Sequence, residues 1–455
     1  MKKLFIYLNI LFSFVINAQN SKIDGKWLVD FTHPDIGVVK TILEFETKEK
    51  TFYAFSRKDA DKLLLGKLKA PMIRGMSNFK NGSLIRVEKG EFTEVIDTIK
   101  LKGIIVTSMG NYNFIGTIYN DKLNVNISKS NLKTFGTIIG TRAKITLPLE
   151  DYGKLFNKAI EISKEKIYKK SLFDEKKWKN FISNMNEILP EIQDDLEMVS
   201  AFYYFGNKLE TSHFALLKSE NNENEALNLK KSNQILLEEK TEKTAYLKIT
   251  SFNGSASEID SVFNVINLKN YKNLIIDLQN NSGGTVEAGM ALANNIFNKT
   301  VNGGVFLTQK WFNQNEVIPT LKEYSQFESF SESNFDLIIN GIHSKKGLYL
   351  KVNPKPKSFQ GNLYVLTNKK TASTCEPIVY ELIQQKRATI VGEKTAGAML
   401  NAEKFNLYNN FYIYVPTADY YTSDGFRIEQ NGVTPNVETK SEVAFQKVFT
   451  ELIKE

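Results

Sequence analysis

Three side chains that can attack an electrophile follow one another at Ser373, Thr374 and Cys375, in the stretch KTASTCEPIVYELIQQK. A hydroxyl or thiol becomes a nucleophile when a nearby base takes its proton, and histidine titrates closest to neutral pH. The chain of 455 residues has only three histidines: His33, His213 and His343. These residue types indicate nucleophilic chemistry, with few choices of base.

The stretch around Ser373 also has the signature of a helix start. Ser373 lies three residues before Glu376, which is the spacing of a capping box, and Pro377 suits the first turn of a helix. Taken alone, the segment favours a capping role for the Ser373 hydroxyl.

A second turn changes that interpretation. The apolar run NLIIDLQ (273–279) is followed by NNSGG, which ends at Gly283 and Gly284. Paired glycines allow a sharp turn whose N–H groups face a ligand, although an ordinary strand-to-helix turn has the same composition. A hydroxyl at a helix start beside such a turn has the geometry to attack a carbonyl and to stabilise the oxyanion.

The elements that would hold these turns alternate along the second half of the chain. Apolar strands are predicted at 244–252, 273–279 and 362–368, with helical patterns between them. This order indicates a mainly parallel sheet covered by helices, an α/β fold that places chemistry where strands end and helices begin.

Beyond residue 18, the chain divides into three predicted parts. Residues 19–146 read as short strands, with turn chemistry at Asn120-Asp121, and predict an all-β barrel or sandwich. Residues 147–217 have apolar side chains at helical spacing and lead into an α/β core at 218–455. The core has a predicted insert at 302–360, whose polar and aromatic stretch at 311–347 is expected to be a lid or rim, or a solvated elaboration.

Residues 1–18 read as a cleavable export signal: two lysines, an apolar run and Ala18 before the expected cut. The apolar run is short for a membrane span, which favours a cleaved signal over the alternative, an uncleaved membrane anchor. No membrane span is expected after the signal is removed. With Cys375 as its one cysteine, the chain forms no internal disulfide. The formal charge of +8 is not gathered into a basic stripe, which argues against nucleic-acid binding.

The two turns together resemble a known family. IIDLQNNSGG is similar to the D-L-R-x-N-x-G-G signature of the tail-specific, or carboxyl-terminal-processing, serine peptidases (family S41), and NKKTASTCE with RATIVGEKTAG is similar to their nucleophile segment and following strand. The resemblance implies an α/β core of the crotonase-like kind. It also implies Ser373 as nucleophile, with the amides of Thr374 and of Gly283 or Gly284 as oxyanion donors. Cys375 as nucleophile is the competing reading.

The base departs from the pattern of the family's best-known branch. Where that branch has a lysine, this chain has Ala398, and Lys394 lies four residues too early. A second branch, similar to the tricorn core protease, uses histidine and glutamate. Its histidine segment resembles NKLETSHFALL, which implies His213 as base, and SDGFRIEQNGVTPN implies Glu429 as the group that orients it. Ser212 is an alternative participant, as a relay.

The resemblance therefore implies an exported serine peptidase, periplasmic or secreted, that acts on peptides or proteins and needs no metal or cofactor. The stretch between His213 and Thr244 is too short for the PDZ domain of many relatives, which requires about 80–100 residues. The alternative is a member that keeps the fold but binds a peptide or lipid-like ligand without cleaving it.

Overall fold

The structure is a computed structural model in which the chain forms two compact units. Of the described residues, the first unit holds those within 22–34, 39–149 and 194–197, and the second holds those within 36–38, 150–193 and 198–453. The predicted signal at 1–18 lies outside the described residues. The structure describes residues 22–34, 36–74, 80–107, 110–129, 135–142, 144–219, 234–331 and 336–453.

The first unit is an antiparallel barrel. Its strands pair in the order β1-β8-β7-β6-β5-β4-β3-β2, and β1 also pairs with β2, which closes the sheet. Closure removes the exposed strand edges that an open sheet would have. The unit has two short helices, α1 (Asp61–Leu65) and α2 (Lys69–Ile73). The strands are β1 (Gly25–His33), β2 (Gly37–Lys48), β3 (Thr51–Phe55), β4 (Ile85–Val95), β5 (Thr98–Thr107), β6 (Gly110–Tyr119), β7 (Lys122–Ser128) and β8 (Gly136–Thr141).

Alternation along the strands explains why this part folds as a barrel. In β7, Leu123, Val125 and Ile127 point into the core, while the residues between them face solvent. Asn120 and Asp121 connect β6 to β7 with φ of 47° and 55°, the left-handed pair that a two-residue hairpin turn requires. The predicted turn and all-β domain are confirmed.

The second unit begins with helices α3 (Tyr152–Lys166) and α4 (Lys176–Ile188), followed by α5 (Asp195–Gly206), which belongs to this unit from residue 198 onward. The N-cap of α3 is Asp151, whose side chain accepts from the Lys154 N–H at 2.8 Å. The helices bury apolar faces, as the spacing predicted.

A six-stranded sheet forms the centre of the second unit. Its order is β10-β11-β12-β16-β17-β20, parallel except for the β10–β11 pair. The three strands predicted at 244–252, 273–279 and 362–368 are β11, β12 and β16, adjacent in that order, and the α/β fold class is confirmed. The strands are β10 (Ile235–Thr241), β11 (Thr244–Ile249), β12 (Asn273–Asp277), β16 (Asn362–Thr367), β17 (Thr389–Gly392) and β20 (Val437–Glu438). The accompanying helices are α6 (Ala256–Lys269), α7 (Val286–Ile296), α11 (Cys375–Gln384) and α12 (Ser441–Lys447).

A second sheet in this unit runs β9-β19-β13-β15-β14, with β18 beside β19. Part of the predicted insert at 302–360 supplies three of these strands. The short helices are α8 (Gln309–Phe312), α9 (Leu321–Tyr324) and α10 (Asp336–Gly341). The strands are β9 (Ala215–Lys218), β13 (Val301–Thr308), β14 (Glu328–Phe330), β15 (Gly347–Val352), β18 (Asn401–Asn406) and β19 (Phe411–Tyr421).

Over the ranges that the structure describes, none of the helices has the combined length and apolar character needed to cross a membrane.

Candidate active site

Asn281 joins the two turns that the sequence singled out. β12 and β16 are parallel neighbours, so their carboxyl ends lie side by side. The backbone carbonyl of Asn281 accepts from the Ala372 N–H at 3.0 Å, and its side chain donates to the Ile249 carbonyl at 3.0 Å. Asn281 is fully buried. It therefore fixes the Gly-Gly turn against the segment that carries Ser373, a role that the sequence interpretation missed.

Ser373 lies in a strained conformation at the start of α11. It is half-buried, and its φ of 54° is in the left-handed region that serine rarely adopts. Its N–H donates to Glu376 Oε2 at 3.0 Å. The hydroxyl hydrogen-bonds to no described residue. Only one half of the predicted capping box is present, so the hydroxyl is left available for chemistry.

The two glycines differ in what their amides do. The Gly283 N–H donates to Asn281 Oδ1 at 2.9 Å. The N–H groups of Gly284 and Thr374 have no acceptor within the described ranges, and the Thr374 hydroxyl ties the two residues by donating to the Gly284 carbonyl at 2.9 Å. Two unpaired amides therefore lie beside Ser373, one from each turn.

The close approach of the two turns explains why residue 283 is a glycine. Its φ is +94°, and a Cβ built there would lie 2.6 Å from Ser373 Cβ. Only glycine permits this approach, because such a contact is shorter than atoms tolerate and the conformation is unfavourable for other residues.

His213 is connected to Glu429 through Ser212. Ser212 Oγ donates to Glu429 Oε2 at 2.8 Å and lies 2.8 Å from His213 Nδ1, and the Ser212 N–H donates to Glu429 Oε1 at 2.8 Å. A hydroxyl has one proton to donate, and Ser212 donates it in the hydrogen bond to the Glu429 carboxylate. Ser212 Oγ must then accept from Nδ1–H, which assigns the neutral tautomer with an unprotonated Nε2.

Burial lowers the pKa of His213 below its ordinary value, and the negative charge of Glu429 opposes that shift only in part. The next residue, Phe214, fixes the position of the backbone because its ring packs 4.9 Å from Trp178 and 5.2 Å from Phe202. The helices of the second unit thus hold the histidine segment. The structure does not show a hydrogen bond between the His213 ring and Ser373 Oγ.

A short segment after β17 connects the two carboxylates. Glu376 Oε1 accepts from the Thr395 hydroxyl at 2.6 Å and from the Gly397 N–H at 2.7 Å, and its Oε2 accepts from the Ala398 N–H at 2.9 Å. The next amide, Met399 N–H, donates to Glu429 Oε2 at 2.7 Å. The clamp, as we name Glu376 with residues 395–399, connects the segment that carries Ser373 to Glu429.

Glu376 is fully buried. Burial raises the pKa of its carboxyl, and the hydrogen bonds from these donors oppose that shift. The sequence assigned it only to capping. At the position where a lysine base would be expected, the clamp uses the Ala398 amide, and Lys394 is exposed.

Cys375 is a poor nucleophile. It is fully buried, its thiol points to the Asn281 carbonyl at 3.6 Å, and burial raises its pKa further above the ordinary thiol value. Of the other histidines, His343 pairs with Glu403 at the surface at 2.9 Å, and His33 lies in the barrel. Within the described ranges, no group of three or more His, Cys, Asp or Glu side chains is arranged to hold a metal ion.

Comparison with known proteins identifies relatives of the core. Residues 243–439 match the profile described as Peptidase family S41. A carboxyl-terminal-processing protease of Picosynechococcus sp. is 27% identical over 202 residues, covering 44% of this chain and 40% of that protein. The same-named protease of Synechocystis sp. is 27% identical over 192 residues, covering 42% of this chain and 36% of that protein. The chain thus spans about two fifths of the length of these relatives.

Among solved structures, a lipoprotein from Streptococcus agalactiae aligns with a TM-score of 0.46 at 16% identity, covering 68% of this chain and 98% of that one.

Proposed function

We propose that the protein is a serine peptidase in which Ser373 is the nucleophile and His213 the base, and the match of residues 243–439 to the profile of peptidase family S41 is the premise of the proposal. The observation that carries the proposal is the hydrogen-bonded path from Ser373 through Glu376, the clamp, Glu429 and Ser212 to His213.

In the first step, Ser373 Oγ attacks the carbonyl carbon of a peptide bond and its proton passes to His213 Nε2. The imidazolium that forms carries a proton on both nitrogens. Nδ1–H stays directed at Ser212 Oγ, and the Ser212 hydroxyl keeps its own proton and donates it in a hydrogen bond to Glu429 Oε2. The carboxylate therefore stabilises the imidazolium through one intervening hydroxyl.

The oxyanion lies between the two turns. The amides of Thr374 and Gly284 have no other acceptor in the described structure, and they come from the two sides of the nucleophile. Of the two glycines that the sequence offered, Gly284 fits better because the Gly283 N–H is already paired. Two backbone donors held in place before the reaction lower the barrier without reorganisation.

The imidazolium then protonates the leaving amine, and the carbonyl carbon stays on Ser373 as an ester. Water attacks that ester with His213 again as base, and Ser373 Oγ leaves with the proton. Every group in this cycle belongs to the protein, the peptide or water.

The carboxyl-terminal-processing names of the relatives make protein tails the first substrates to try. The signal predicted at residues 1–18 supports export to the periplasm or the medium.

The test is labelling by a serine-directed fluorophosphonate, followed by hydrolysis of a mixed peptide library. Wild type should be labelled at Ser373 and should cleave peptides, and Ser373→Ala should do neither. If both proteins are equally unlabelled and inactive, the peptidase proposal is wrong.

A member that binds without cleaving is the second candidate. The observation that favours it is the lack of a hydrogen bond between His213 and Ser373. Catalytic hydrogen bonds often form only with substrate present. Peptide binding by a protein that the probe leaves unlabelled would select this alternative.

A further inference from the structure

An apolar cavity begins beside the nucleophile and follows one face of α11. From the helix side it is lined by Thr374, Pro377, Ile378 and Glu381, at the three- and four-residue spacing of one helix face. The opposite wall includes Ala293 of α7.

Thr374 and Glu381 mark the two ends of this face. A rise of about 1.5 Å per residue separates them by about 10 Å along the helix. The Thr374 end borders the proposed oxyanion donors, so a side chain entering there belongs to the residue whose carbonyl Ser373 attacks.

Glu381 is an unusual residue for such a wall. It is 2% exposed, and it accepts from Ser423 Oγ at 3.1 Å and from Gln385 Nε2 at 3.5 Å. Neither donor is charged. No lysine or arginine among the described residues is paired with it. A buried carboxylate without a cation is costly, and a ligand that brings the cation removes the cost.

We propose that this cavity is the subsite for a lysine side chain of the substrate, and that Glu381 is the residue that selects it. The inference rests on the proposed function, because that function fixes which end of the cavity meets the peptide. A four-carbon stem matches the hydrocarbon walls, and the ammonium matches the carboxylate two helical turns away.

The test compares two alanine peptides with one variable residue, lysine or norleucine, which has a lysine-like aliphatic chain but lacks the ammonium. Binding is measured by fluorescence anisotropy on Ser373→Ala, so it does not depend on turnover. At pH 8 the lysine peptide should bind at least about tenfold more tightly, as for a hydrogen bond between charged groups. Equal or tighter binding of the norleucine peptide overturns the subsite.

Three variants in the Ser373→Ala background test the subsite further. Glu381→Gln should remove the preference for lysine, whereas Glu287→Gln, the same change at an exposed position of α7, should keep it. Ala293→Leu fills the cavity from the opposite wall and should weaken binding of both peptides. Unchanged lysine binding in Ala293→Leu, or in Glu381→Gln, contradicts the proposal.

The preference should also depend on pH. Burial raises the pKa of Glu381 to about 6, so the carboxylate is present at pH 8 and largely protonated at pH 5, while the substrate ammonium stays charged throughout. The titratable groups that act on Glu381 are Asp424, Tyr349, Tyr380 and Tyr420. The three tyrosines do not titrate in this range, and His213 affects both peptides alike. A lysine preference that is the same at pH 5 and pH 8 overturns the assignment to Glu381.

Turnover separates this inference from the proposed function. Wild type is assayed for kcat/KM on the same two peptides. Absence of turnover with retained lysine preference in binding rejects the peptidase but supports the subsite. Turnover in which norleucine is cleaved as fast as lysine rejects the subsite alone.

Discussion

Ser212 connects the Glu429 carboxylate to the His213 ring through its hydroxyl. Its hydroxyl stands between Glu429 and His213 Nδ1, at 2.8 Å from each. A change at this one residue therefore separates the orienting charge from the base without touching either of them.

We expect Ser212→Ala to lower kcat by about 10²-fold or more, because the imidazole loses its acceptor and its tautomer is no longer fixed. The rate of fluorophosphonate labelling at Ser373 should fall in parallel. Ser219→Ala, on the same segment, is the matched control and should leave the rate unchanged. If Ser212→Ala keeps full activity, Glu429 does not act through this hydroxyl.

The acidic side of the pH profile of kcat/KM reports the pKa of the proposed base, His213. Since burial lowers the pKa of His213 below its ordinary value of 6.5, the neutral imidazole persists to lower pH than for an exposed histidine. We expect kcat/KM to rise with pH through a midpoint below 6.5 and then to level off, as measured from pH 4 to 8. A flat profile contradicts a histidine base.

Glu381 should make stability depend on pH. Its pKa is raised from 4.5 to about 6, so the folded state disfavours the ionised form. The stability that protonation gives is complete below the unfolded pKa and is lost as pH rises through the folded one. We expect Glu381→Gln to be more stable than wild type by about 2 kcal/mol at pH 8, and equal to it near pH 4, by denaturant unfolding. A Glu381→Gln protein that is less stable at pH 8 contradicts this.

At the scale of elements, the site depends on two turns that pack without a side chain between them. We expect Gly283→Ala to slow labelling of Ser373 by at least about tenfold, because the new Cβ would meet Ser373 Cβ at 2.6 Å. It should also cost roughly 1–3 kcal/mol of stability from strain at positive φ.

Gly66→Ala is the control for Gly283→Ala. Its φ is +81°, and nothing lies within 4 Å of the Cβ position. It should lose stability from strain alone and leave the labelling rate intact. Equal labelling of both variants would show that contact at Gly283 does not position the nucleophile.

Local pattern predicted the elements that carry Ser373 and the Gly-Gly turn. The runs at 273–279 and 362–368 were apolar enough to be buried parallel strands, so their ends were expected to meet, and they do. The family resemblance of that region is confirmed by the matched profile. The half-formed capping box could not be predicted, because S-x-x-E spacing does not show whether the hydroxyl turns toward the helix or away from it.

The rest of the site could not be predicted from the sequence because it depends on packing between elements that are far apart along the chain. The clamp joins Glu376 to backbone amides, which have no signature in side-chain types. The cavity that Glu381 lines needs α7, α11 and strands of the second sheet together. The 302–360 region looked like an elaboration because its strands pair with β19, far along the chain. The roles of Ser373, His213 and Glu429 stay predictions until the labelling experiment is done.

At the scale of the whole molecule, the chain has two units, each with its own core. Leu123 is buried in the barrel, and Leu274 is buried in the central sheet of the second unit. Chains of this kind seldom unfold in a single two-state step.

We expect calorimetry to resolve two transitions. Leu123→Ala and Leu274→Ala should each destabilise one transition by about 2–5 kcal/mol and leave the other nearly unchanged. A single transition that both substitutions shift equally would mean that the units unfold as one.

The clamp divides neighbouring amides of one loop between two carboxylates, with Ala398 on Glu376 and Met399 on Glu429. The number of peptide bonds in this loop therefore sets the spacing between Glu376 and Glu429. Over evolution, such a loop can exchange its side chains freely wherever only its amides are used, but it cannot gain or lose a residue. Homologues that share this mechanism should vary in sequence at position 398 while holding the length from Thr395 to Met399 constant.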